Sequence, residues 1–192
     1  MVTRHGIPDP GTSLWWRGPL AAVALLLGCA GGSGSTAGGG GENPGTVSGK
    51  AGGKSVDTVA AAYFIGQSDD PTHTTVVYVF DTKVSCADLG AAGWDTKIPS
   101  ATGALEMKLI GAAPGKYAVA KGVTPAQGQA SVNFTVSSTT STPVESASDS
   151  GTVQLDTLDP DKLAGGSFDL QFADGTLKGT FAATWCADGH EP

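Results

Sequence analysis

GSFDLQFADGTLKGTFAATWC, residues 166–186, decides the fold. Phe168, Leu170 and Phe172 alternate with Asp169 and Gln171, the period of a strand with one face buried. Asp174-Gly175 then offers a two-residue turn, the strongest short-range hairpin signal because both turn positions favour positive φ. With that turn as the loop, Phe172 is expected opposite Leu177, Leu170 opposite Gly179, and Phe168 opposite Phe181. All six fall on one face, while Gln171 meets Lys178 and Asp169 meets Thr180 on the other. The pattern is consistent in register. Gly179 leaves a gap that neighbouring aromatic rings can fill.

The same grammar recurs upstream. Val132, Phe134 and Val136 alternate with polar residues over 131–136, as do Leu105, Met107 and Leu109 with Glu106 and Lys108. Pro114-Gly115 marks a turn before a strand over 116–120, and another strand begins over 151–155. The runs 60–65 and 75–80 are apolar on both faces, which places them centrally in a sheet. The fold class expected is all-β, an antiparallel sandwich or barrel of about eight strands. Ser85 to Asp88 (SCAD) resembles a capping box and predicts one short helix. Residues 137–150 (SSTTSTPVESASDS) read as a polar loop. The run from Gly151 to Phe181 resembles the repeated-hairpin endings of uncharacterised bacterial lipoproteins, and implies no activity.

The N-terminus gives an address. Pro19 to Gly28 is an apolar run of 10 residues preceded by Arg17 and Arg4. Crossing a bilayer takes about 20 residues, so the run is too short to span and reads as an export signal. Leu26-Leu27-Gly28-Cys29 resembles the lipobox of bacterial lipoproteins, the signal peptidase II site. The resemblance implies that residues 1–28 are removed and that Cys29 becomes the first residue, carrying a diacylglyceryl thioether and an N-acyl chain such as palmitate. More than one chain is what firm anchoring takes. Ala30 after the Cys, where inner-membrane lipoproteins often have Asp, favours the outer membrane by the same analogy. Residues 29–53 are then the lipidated Cys and a flexible Gly/Ser-rich tether, with an end-to-end distance of about 27 Å, and 54–192 the β domain.

With Cys29 assigned to lipid, Cys86 and Cys186 remain, and an exported pair is expected to form a disulfide. A redox or metal pair lacks both the Cys-x-x-Cys spacing and a His-rich neighbourhood.

The chain carries a net charge of −7, and residues 54–192 hold 8 Lys against 16 Asp or Glu. No basic block or nucleic-acid motif is present, so nucleic acid is set aside. An acidic domain does not lie on anionic lipid by itself, so the expected membrane contact is the lipid on Cys29.

Catalytic signals are sparse. Beyond the signal the histidines are His73 and His190, and no Gly-x-Ser-x-Gly elbow lies between a strand and a helix. Two scattered histidines and two bonded thiols do not make a tetrahedral zinc site. Asp156, Asp159 and Asp161 (DTLDPD), with Asp69-Asp70, are the calcium candidates, though Asp beside Pro is ordinary turn chemistry and that reading is preferred. No pair of carboxylates stands out for glycoside hydrolysis. No cofactor is expected. Two function classes follow. One is a lipid-anchored envelope protein that binds an envelope protein or polysaccharide through loops such as 67–74 and 137–150; the other is a lipid-anchored hydrolase with an unrecognised site. The inventory favours the first.

Overall fold

The computed structural model describes residues 43–67, 74–90, 93, 94, 97–111, 113–138, 142–187 and 189. In chain order these form β1 (Gly45–Ala51), β2 (Lys54–Val56), β3 (Ala61–Gln67), β4 (Thr74–Phe80), the helix α1 (Cys86–Leu89), β5 (Gly103–Ile110), β6 (Gly115–Val119), β7 (Gln129–Val136), β8 (Val144–Ala147), β9 (Ser150–Asp159), β10 (Leu163–Phe172) and β11 (Gly175–Trp185). Eight strands close a barrel in the order β10-β9-β6-β7-β5-β4-β3-β11, with β11 pairing back on β10. The other three are attached to it, β8 to β7, β1 to β11 and β2 to β1. The barrel is mixed. Two seams are parallel and only two residue pairs long: Ala118–Gln129 and Val119–Ala130 join β6 to β7, and Tyr63–Thr184 and Phe64–Trp185 join β3 to β11.

The alternating segments became strands with their apolar faces inward. Val77, Met107, Phe134, Leu155, Leu170 and Leu177 are all buried in the lumen, and Phe134 meets the Phe172 ring at 6.3 Å. Each such side chain stabilises the fold by about 1.5–3 kcal/mol on leaving water. The lumen is a packed core. The doubly apolar runs lie where expected, for β4 sits between β3 and β5 and is buried at every residue.

Their outer faces are buried by a second layer. Tyr78 and Phe80 point outward and receive Trp94 edge-on, at 5.3 and 5.7 Å. Leu89 of α1 and Ile98 complete that layer. The expected capping box is present: the Ser85 N–H donates to Asp88 Oδ2 (2.9 Å) and the Asp88 N–H donates to Ser85 Oγ (3.3 Å).

Cys86 and Cys186 are bonded, with Cα atoms 5.5 Å apart. Strict alternation along β11 sends Trp185 against the inner core and Cys186 to the outer layer. That outer face is where α1 packs, so no bulge is needed to bring the thiols together.

Three expectations are corrected. The β10–β11 turn is Ala173-Asp174, so Phe172 pairs with Gly175, Leu170 with Leu177, Phe168 with Gly179 and Gly166 with Phe181. Asp174 is drawn there by another hairpin, accepting the N–H groups of Gly52 (3.2 Å) and Gly53 (2.7 Å). Moving a turn by one residue moves the partner by two, so every side chain keeps its face. Residues 45–53, expected to belong to a flexible tether over 29–53, are strand β1 and the turn into β2, so the folded domain begins well before residue 54. Residues 144–147, expected within a polar loop, are β8.

A candidate binding groove in the barrel wall

The groove arises from how β7 shares one edge. β6 pairs with the first two residues of β7, and β8 pairs with Asn133 to Val136. Where β6 departs and β8 arrives, the wall opens into a notch. Its edges are tied down, because the Ala120 N–H donates to the Ala130 carbonyl and the Ser148 N–H to the Val132 carbonyl, both at 2.9 Å.

From Ala120 the chain runs outward as KGVTPAQG, turning at Gly122 and Gly128 with φ of 65° and 78°. It is braced at its far end, where the Gly128 N–H donates to the Ile110 carbonyl (2.8 Å) and the Ala126 N–H to Gln129 Oε1 (2.8 Å). Between this loop and Ala147-Ser148 lies a groove of about 780 Å³. That volume is within the range of about 300–1,000 Å³ usual for ligand sites.

Ser131 and Asn133 of β7, with Lys108 and Ile110 of β5, make the floor. Val123 stands on the loop 65% exposed, a large apolar side chain with little protein around it. Lys121 pairs with Asp149 at 2.5 Å and so links the loop to the wall after β8. Ser148 secures that wall through its hydroxyl, whose single proton is within reach of the carbonyls of Ser150 (2.9 Å) and Gln171 (3.0 Å). The frame is fixed by backbone bonds, and the lining offers cationic, amide, hydroxyl and apolar contacts.

Cys29, Asp69, Asp70, His73 and His190 lie outside the described residues. Asp156 is exposed on β9 at the register shift opposite Gly165 and Gly166. Asp159 ends β9 and pairs with Lys162 at 3.1 Å, while Asp161 occupies the turn with φ of 61°. Asp159 and Asp161 thus belong to the β9–β10 turn, and Asp156 to the irregularity in β9. Among the described residues no group of three or more His, Cys, Asp or Glu is placed to hold a metal. The loop over 67–74 falls almost wholly outside the described residues, whereas 137–150 contributes Ala147 and Ser148 to the groove.

Carboxylates elsewhere serve the scaffold. The Ser85 side chain and backbone hold Asp88 below the usual carboxylate range. The Gly53 N–H does the same for Asp174, with smaller help from Gly52 and Lys50. Asp169 pairs with Lys178 at 2.8 Å across the hairpin. Asp81 accepts the Gly103 N–H (2.9 Å) and pairs with Lys54 (2.6 Å).

The groove was not foreseen from sequence, where its only trace is the Gly/Pro punctuation of residues 122–128. No protein-family model matches the chain, and neither the curated proteins nor the solved structures contain a match to it.

Proposed function

We propose that the protein is a lipid-anchored component of the bacterial cell envelope, held through acylated Cys29, which works by binding a partner at the wall groove and not by catalysis. The observation that carries the binding half is the contrast between a filled lumen and an open groove. Small barrels either pack their interior or house a ligand there. Here Phe134, Leu170 and Phe172 fill the interior, so contact with a partner falls to the outside. The groove's braced loop and exposed Val123 supply that outside surface. The commitment of Asp81, Asp88, Asp169 and Asp174 to hydrogen bonds and ion pairs supports binding over hydrolysis. The anchor half is supported by the LLGC tetrad after its short apolar run.

Two experiments test the halves separately. Mass spectrometry of the mature N-terminus should find residues 1–28 gone and Cys29 acylated, and Cys29→Ala should leave the precursor unprocessed. An unmodified Cys29 sinks the anchor. For binding, a photo-crosslinking side chain at Val123 should capture a product in native envelope that the same group at Lys178 does not. Equal products at both positions, or turnover of glycan or ester libraries by the purified protein, argue against a groove-based binder.

A further inference from the structure

We draw no further inference here: the strongest candidate, the groove in the barrel wall between the 120–125 loop and Ala147-Ser148, belongs to the site already described, has both its lysines, Lys108 and Lys121, already partnered, and nothing in the structure shows what covers it.

Discussion

Two phenylalanines lie over two glycines across the β10–β11 hairpin. Phe168 pairs with Gly179 and Phe181 with Gly166, and a Cβ added to Gly179 or Gly166 would sit 2.8 or 2.9 Å from the facing ring. The gap foreseen at Gly179 is thus filled by its own cross-strand partner, a device that lets glycine persist in a strand. Gly179→Ala would also press on the Thr46 carbonyl of β1. It should cost about 1–3 kcal/mol, the usual range for overpacking, read as a lower urea midpoint at unchanged m-value. No loss would mean that the ring does not rest on the glycine. The inward face of this hairpin was legible because burial has a strict period of two. Its register was not, because the turn is chosen by Asp174's bonds to Gly52 and Gly53, more than 120 residues away.

Asp88 and Asp174 also set a pH dependence at this scale. Both are held below the ordinary value of 3.8, so the folded protein binds these protons less readily than the unfolded chain. Their contribution is complete above the unfolded value and is lost as pH falls through the folded ones. The double variant Asp88→Asn, Asp174→Asn should be less stable than the native protein at pH 7, and the difference should shrink below about pH 4. A difference that is constant with pH would refute the assignment.

At the scale of elements, β1 and β2 carry the main lesson. GTVSGKAGG reads as coil by composition, yet it forms a hairpin against β11. Gly45 and Gly49 serve close approach, not flexibility. They have φ of 128° and 135°, and a Cβ at either would strike the carbonyl of Thr180 or Thr176. Val47, Ala51 and Val56 enter the core, and the Gly52 turn lies against the Phe134 ring. A lone sequence could not show this, because the strand is specified by the surface it lands on. Lys54 fastens the hairpin, pairing with Asp81, whose side chain is 10% exposed, and donating to the Ala101 carbonyl. Lys54→Met removes a charged hydrogen bond from a mostly buried carboxylate and should cost about 2 kcal/mol. Limited proteolysis should then cut first within residues 45–58. Unchanged stability and cleavage would show that the hairpin is held without the clasp.

For the whole molecule, the weak points of the barrel are its two short parallel seams. At the β3–β11 seam the Cys186 N–H donates to the Phe64 carbonyl, and the disulfide binds the end of β11 to α1. Closing a loop with a sequence separation of 100 stabilises by up to about 4.7 kcal/mol in the chain-entropy model, and 2–4 is typical. The double variant Cys86→Ala, Cys186→Ala should lose stability on that order, with faster amide exchange at residues 63–65 and 184–186 than in β10. The pairing of these cysteines was legible from their number, once Cys29 was set apart by the lipobox-like tetrad it ends. The groove was not, because it exists only where β6 leaves β7 and β8 joins it, a juxtaposition that no local pattern encodes.

The central claim is that this barrel meets its partner through the notch in its wall. Hydrogen–deuterium exchange on the full-length protein, in native envelope vesicles and again in detergent, reads that surface directly. Slower exchange in vesicles at residues 120–125 and 147–148, with 164–172 of β10 unchanged, is the result predicted. Equal exchange at the groove in both settings, or protection confined to the 159–163 hairpin tip, would contradict it.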